Sequence, residues 1–439
     1  MEPEAELVHE SELLDAWPVL SSRERVEGFH LLLPERAQDF FAALEPPEQV
    51  DLLHALPEGE RRTWLRALAP DDAADVIQRL EPEARETWLA LLDAPSLREV
   101  RALLAYGEDA AGGLMNPRFV RVRPELPIDE ALSYLRRQAR EQVETVYYAY
   151  VLDAEQRLVG VVSMRQLFQA TPDKVVREVM RTELVRVRED TDREEVGRLF
   201  ARYGLAAIPV VDAQGRMKGI VTVDDIVSVV QEEATEDIQK VGGMEALGAP
   251  YLEVGLPAML RKRAGWLLVL FLSEMLTATA MTRYQDEIAR AVVLSLFVPL
   301  IISAGGNAGS QASTLVIRAL ALAQVRLRDV GRVLRRELLS GLMLGTVLGA
   351  VGVARILLWQ VLFHLYGEHA LRVAATVGLA VLGVVTWGTL AGSMLPFLLR
   401  RLGFDPASAS APFVATLVDV SGLVIYFTTA EVVLRGTLL

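Results

Sequence analysis

The chain of 439 residues contains no cysteine. That excludes disulfides and thiolate metal sites, although it does not identify a compartment. Positive charge is in deficit, with 45 Lys and Arg against 58 Asp and Glu and a formal net charge of −13. This balance argues against nucleic acid as a partner; it suits a soluble surface and one that gathers cations. The opening stretch MEPEAELVHE is acidic and has no apolar core, so it does not read as a signal peptide. No GxxxxGK[ST] phosphate loop and no DKTG phosphorylation motif occurs. An ATP-driven pump is therefore disfavoured, and the chain reads as a non-enzyme.

The residues that are present divide unevenly. Residues 1–253 are rich in Glu, Asp and Arg, and their apolar runs have the length of strands or core helices. From Ala264 onward, apolar runs long enough to cross a bilayer follow one another. Five spans are expected, at about 264–283, 289–317, 337–366, 371–400 and 411–435, with the second and fifth interrupted by Gly or polar residues. RKR precedes the first span, RLRDVGRVLRR joins the second to the third, and RR ends the fourth. The opposite loops carry fewer positive charges, so the N-terminal part and the basic loops are expected in the cytoplasm and the C-terminus outside. With an odd number of spans, a symmetric pore most simply needs two chains.

The first quarter of the chain repeats every twelve residues. Leu32, Leu44, Leu56, Leu68, Leu80 and Leu92 recur at that spacing, each followed closely by a proline: Pro34, Pro46, Pro57, Pro70, Pro82 and Pro95. Proline is favoured in the first turn of a helix and excluded from its interior, so each unit reads as a short helix restarted by Pro. Such units bury a core only by stacking, which predicts an all-α superhelical domain. A longer repeat covers about residues 112–232. LMNPRFVRVRPELPIDEALSYLRR matches VMRTELVRVREDTDREEVGRLFAR, and YYAYVLDAEQRLVGVVSMRQL matches AAIPVVDAQGRMKGIVTVDDI. Each copy predicts a helix, two apolar strands joined by an Asp-x-x-x-Arg turn, and a second helix. These copies resemble paired CBS motifs, which form one pseudo-symmetric α/β module whose cleft binds adenosine phosphates in some members. A helix from Val223 to about Gly248 is expected to leave this module, with Gly242 and Gly243 placed to interrupt it and Pro250 marking a linker.

Three groups of residues carry chemistry. In the fifth span, FVATLVDVSG places Asp419 in an apolar run with no Lys or Arg before Arg435. A carboxylate in hydrocarbon costs roughly 2.5–3.5 kcal/mol on insertion scales, so an intramembrane acid points to an aqueous path and a partner. A cation is the expected partner, with the carbonyl of the small Ala415 one turn earlier as a further oxygen. In the second span, PLIISAGGNAGSQAS combines Pro299 and glycines with Asn307, Ser310 and Gln311. The expectation is a broken, pore-lining segment at Gly305, Gly306, Asn307 and Gln311; a small-residue packing face is the competing reading. On the helix leaving the CBS pair, Glu233, Glu236 and Asp237 share one face and need a cation or a basic partner such as Lys240. Glu274 in the first span is a second buried acid, read equally as functional or as a hydrogen bond to a neighbouring helix. Asp405, in the turn GFDP, is read as a helix cap or an outer ligand, and Asp71, Asp72 and Asp75 as a helix-start cluster.

The order of these parts, with GGNxGxQ in the second span and ATLxDxxG in the fifth, resembles the MgtE family of magnesium channels. The resemblance covers about residues 30–435. It implies a multidomain fold: a helical N domain at 1–111, a CBS pair at 112–230 (copies at 112–171 and 176–230), an acidic connecting helix and linker at 231–260, and a five-helix pore domain at 261–439. It further implies a multi-pass homodimer in the cell membrane, with a Mg²⁺-selective pore shut by cytoplasmic Mg²⁺. By the same resemblance, Asp419, Ala415 and Asp405 match metal positions of the membrane domain. Asp39, Asp71, Asp75, Glu194, Asp225, Glu233, Glu236 and Asp237 match cytosolic ones. The chain departs from the family at Ala411, where Asn is common, and at Gly204 and Ser228, where relatives carry acids. The family allows ATP at the CBS cleft, but Leu205 and Gln166 replace an aromatic and an acid there and weigh against it. A carrier for another divalent cation, Co²⁺ or Mn²⁺, and a CBS-based nucleotide sensor are the alternative functions.

Overall fold

Proline sets the spacing of the first helices. In the computed structural model, which describes residues 9–140, 143–249, 251–252 and 254–435, helices run over Pro34–Ala43, Pro46–Ala55, Glu58–Ala67, Pro70–Gln78, Pro82–Leu89 and Ala94–Leu103. A proline occupies the first turn or the cap of each, where its missing N–H leaves no bond unmade. All six leucines of the twelve-residue repeat are buried. The acidic opening residues 1–8 and the expected linker residue Pro250 lie outside the described residues.

The chain forms two units, Met1–Gln231 and Glu232–Leu439. In the first, the helical repeat shares a core with the second CBS copy, through Val187, Val196, Phe200, Ile208, Val210, Val221 and Ile226. Each copy builds a three-stranded sheet: β1 (Arg121–Val122), β2 (Tyr148–Leu152) and β3 (Leu158–Ser163) in one, β4 (Val187–Arg188), β5 (Ala207–Val211) and β6 (Met217–Thr222) in the other. The registers correspond residue for residue, Val151 opposite Gly160 in one copy and Val210 opposite Gly219 in the other. The turn aspartates fix the hairpins: Asp153 accepts from the N–H of Glu155 and Arg157, and Asp212 from Gln214 and Arg216. The parallel strands β1 and β4 were not expected; each is two residues of a V-R-V-R stretch, too short to show alternation. Helix Arg193–Tyr203 ends on Gly204 at φ +59°, a left-handed cap that a side chain would strain. That accounts for glycine at a position where an acid would be costly.

The second unit begins within the helix Val223–Val241, which Gly242 and Gly243 (φ +76°) terminate. Among the described residues, five helices long and apolar enough to span a membrane follow. They are Leu256–Arg283, Val298–Ala321, Val330–Phe363, Ala370–Arg401 and Ala411–Leu434, termed here the first to fifth spans. The second span corrects the sequence expectation. It is an unbroken helix, because Pro299 falls in its first turn and its glycines keep helical bonding. Those glycines let backbones approach: a Cβ on Gly309 would meet the carbonyl oxygen of Gly388, and one on Gly392 that of Gly309. Gly341, Gly345 and Gly349 of the third span do the same against Thr386, Leu382 and Gly378 of the fourth. Small residues are the means by which helices pack where no hydrophobic drive separates protein from solvent. The first span is peripheral, with no buried residue of its own.

Candidate functional site

Asp419 sits near mid-length on the fifth span, half-buried. Its surroundings follow from the small residues opposite. Gly306 of the second span is buried, and a Cβ there would lie 3.5 Å from the Ala415 Cβ and 3.9 Å from Asp419 Oδ1. The absent side chain thus leaves backbone bare beside the carboxylate. Asn307 follows on the exposed side, in line with Ser303, which accepts its side-chain N–H at 3.4 Å, and with exposed Gln311. Positions 303, 307 and 311 recur at one helical turn, so they form a polar stripe on an otherwise apolar span. The stripe and Asp419 form the candidate membrane site. Gly305, expected to line it, is buried instead against Val384 and Val418, so the packing reading holds at that position.

The fifth span is anchored at its start. Ser410 caps it by accepting from Phe413 N–H, Ser310 Oγ donates to the Ala411 carbonyl at 3.0 Å, and Ser313 Oγ to that of Ala409 at 2.8 Å. Each bond satisfies a polar group in a place where an unmade bond is costly. Ser310, one of the polar residues of the second span, is thus committed to holding the fifth span. Asp405 caps the short turn Pro406–Ser408 by accepting from Ala407 N–H at 2.8 Å.

Asp405 also meets the connecting helix. Lys240 Nζ bridges Asp405 Oδ2 at 2.6 Å and Glu236 Oε1 at 2.5 Å. Burial alone would lower the Lys240 pKa, but its hydrogen bonds to both acids raise it above the usual lysine range. Asp237 lies beside the same group. Burial first, then the charges of Asp405 and Glu233, push its carboxyl up to about 6, with Lys240 opposing. The structure therefore brings Glu236 and Asp405 together on one lysine, with Asp237 beside them and Glu233 acting on Asp237. Sequence reasoning placed Lys240 beside the acids but missed its bond to Asp405, which is 165 residues away in sequence.

A second carboxylate cluster occupies the first unit. Asn116 Nδ2 donates to Asp71 Oδ1 at 3.0 Å and to Glu144 Oε2 at 2.7 Å. Burial, followed by the charges of Asp225, Asp72 and Glu144, drives the Asp71 carboxyl well above its ordinary value. Burial also pushes Asp225 up to about 7, against a hydrogen bond from Thr222 and with Asp224, Asp72 and Glu144 adding to it. Asp72 rises to about 6 through burial and Asp224. Of the expected cytosolic residues, Asp71 and Asp225 are thus joined. Asp75 is half-buried on the same helix. Glu194 lies 3.7 Å from Arg198, and neither it nor exposed Asp39 acts on the clustered pair. Glu144 and Asn116 were missed, because each stands in a loop outside any periodic pattern. Gln166 is held in its own capping box with Ser163, and Leu205 packs on the core.

Among the described residues, no group of three or more His, Asp or Glu side chains is arranged to clasp a bare ion. Donor chemistry still fits a hard cation. In both clusters carboxylate oxygens outnumber the nitrogen donors and like charge is crowded, which suits an ion that keeps several waters.

Comparison with known proteins places these features together. The family model described as MgtE, divalent cation transporter, matches residues 298–429, that of the MgtE intracellular N domain matches 8–109, and the CBS domain model matches 111–173 and 176–232. The magnesium transporter MgtE of Thermus thermophilus is 43% identical over 346 residues, spanning 79% of this chain and 75% of its own. That of Enterococcus faecalis is 35% identical over 337 residues, spanning 77% and 72%. A solved structure of the cytosolic domain of the Mg²⁺ channel MgtE in complex with ATP is 42% identical, with a TM-score of 0.48. It covers 51% of this chain and 92% of that one.

Proposed function

The chain belongs to the MgtE family, and from that premise we propose that it is a homodimeric, Mg²⁺-selective channel for magnesium uptake, closed by cytoplasmic Mg²⁺. The observation that carries the proposal is Asp419: a carboxylate at mid-span beside bare Gly306 backbone, next to the exposed polar stripe Ser303, Asn307 and Gln311. Such a stripe in a span requires water or a partner. A second copy meeting it about a twofold axis would supply both, enclosing an aqueous path with two Asp419 carboxylates. Mg²⁺ dehydrates reluctantly, so a site that holds the ion through its waters, with the Ala415 carbonyl as a further acceptor, passes it at less cost than a bare-ion cage.

Labour is divided along the boundaries set out from the sequence, with residues 1–111 and 112–230 as sensor, 231–260 as connector and 261–439 as pore. The N-terminal part is cytoplasmic and the C-terminus outside, in keeping with the basic loops. In the sensor, Asp71, Asp72, Asp225 and Glu144 repel one another unless neutralised. With a divalent cation among them they stay together; without one they separate. In the connector, Glu233, Glu236 and Asp237 face Asp405 in the same way, partly balanced by Lys240. An ion that favours the gathered arrangement shifts the population towards it, and this is the closed state.

The test is divalent flux into liposomes with internal and external Mg²⁺ varied separately. A channel gives voltage-dependent Mg²⁺ flux that internal Mg²⁺ shuts. Saturable, voltage-insensitive flux would replace this reading with that of a carrier, and equal flux of Co²⁺ or Mn²⁺ would overturn the Mg²⁺ selectivity.

A further inference from the structure

We propose that Glu274 is a second carboxylate of the permeation site, and that it strengthens the site's hold on a divalent over a monovalent cation. This rests on the reading of Asp419 as the permeation carboxylate.

The first and fifth spans run side by side, and their level is fixed at one end. Trp266 Nε1 donates to Ser410 Oγ at 3.2 Å, and the Trp266 ring lies 6.3 Å from that of Phe413. Glu274 is eight residues beyond Trp266 and Asp419 nine beyond Ser410. At 1.5 Å per residue both carboxyls stand about 12–13 Å deeper, at one level. Their charges act on each other there. Glu274 also lines a cavity of about 860 Å³ together with Thr416, which is three residues before Asp419. The Glu274 side chain is exposed, on a span with no buried residue, so packing does not confine it.

Among the described residues, no basic group forms an ion pair with Glu274 or Asp419. Arg263 lines the same cavity but is eleven residues before Glu274, about 16 Å along the helix. No Lys or Arg acts on Asp419 among the described residues. Two neighbouring carboxylates at one level in the span therefore draw a cation from solution. Coulomb attraction scales with the charge of that ion. Across a water-filled gap of about 6 Å, one added carboxylate strengthens a divalent ion's hold about tenfold and a monovalent ion's about threefold. Glu274 thus discriminates by charge without contacting the bare ion, as a hydrated Mg²⁺ requires.

The experiment uses the full-length protein in planar bilayers. It measures the Mg²⁺ concentration that half-blocks the Na⁺ current carried in divalent-free solution. Glu274→Gln is expected to raise that concentration about tenfold while Mg²⁺ flux persists. Glu274→Asp, which keeps the charge, should stay within about threefold of wild type, and Asp419→Asn should lose Mg²⁺ flux. If Glu274→Gln blocks as wild type does while Asp419→Asn is inactive, this inference fails and the reading of Asp419 stands. If Asp419→Asn conducts and blocks normally, the reading itself fails, and the inference with it. Loss of all current in Glu274→Gln together with Glu274→Asp marks a structural role and overturns the inference; loss in Glu274→Gln alone supports the need for charge.

Discussion

At the scale of single residues, two kinds of position decide the membrane unit: acids that need a cation and glycines that admit a neighbour's backbone. Asp419 was conspicuous in the sequence because nothing within its own helix could pair with it. Its closeness to Glu274 was not, since only helix packing brings the first and fifth spans to one level. Gly305 and Gly306 are adjacent in sequence yet do different things. One is filled by Val384 and Val418, and the other bares backbone beside Asp419. A hydropathy plot cannot separate them. Gly392 belongs to the packing class, and a side chain there would overlap the Gly309 backbone. Gly392→Val is expected to destabilise the protein by about 1–3 kcal/mol, the usual cost of overpacking. The check is a lowered thermal midpoint in detergent, and an unchanged midpoint would contradict the close approach.

At the scale of elements, legibility followed periodicity. The twelve-residue repeat of Leu and Pro foretold each short helix, and the Asp-x-x-x-Arg turns foretold both hairpins. Strands β1 and β4 escaped notice because two residues show no alternation. The second span is unbroken although its sequence suggests a break, because Pro299 and the glycines reveal their place only once the helix start is known. The connecting helix was read correctly as acidic. Its bond from Lys240 to Asp405 needed the fold, as the partners lie far apart in sequence. Neutralising this face tests the element as a whole. In the variant Glu233→Gln, Glu236→Gln, Asp237→Asn, the proposed gate loses the carboxylates that a cation would gather. Flux should then persist at internal Mg²⁺ that shuts the wild type, raising the half-closing concentration at least tenfold. Closure at the wild-type concentration would remove this helix from the sensor.

At the scale of the whole molecule, one ion links the proposed sensor acids to a membrane carboxylate. Protons offer an independent handle on the sensor. Asp71, Asp72 and Asp225 have raised pKa values when gathered, the last two about 6 and about 7. The gathered state thus binds more protons than the separated one. It is stabilised at low pH, and that stability is lost as pH rises from about 4 through about 7. A divalent cation replaces the protons above that range. Mg²⁺ should therefore protect helix Pro70–Gln78 from hydrogen exchange strongly at pH 7.5 and much less at pH 5. Equal protection at both would show that the cluster does not respond to cation charge.

The central claim is that Mg²⁺ crosses the membrane past Asp419. Purified wild type and Asp419→Asn, both eluting as folded protein, would be compared for Mg²⁺ uptake into liposomes under an inside-negative potential. Wild type should fill the vesicles, and Asp419→Asn should remain at the level of empty liposomes. Uptake by Asp419→Asn at the wild-type rate would contradict the account.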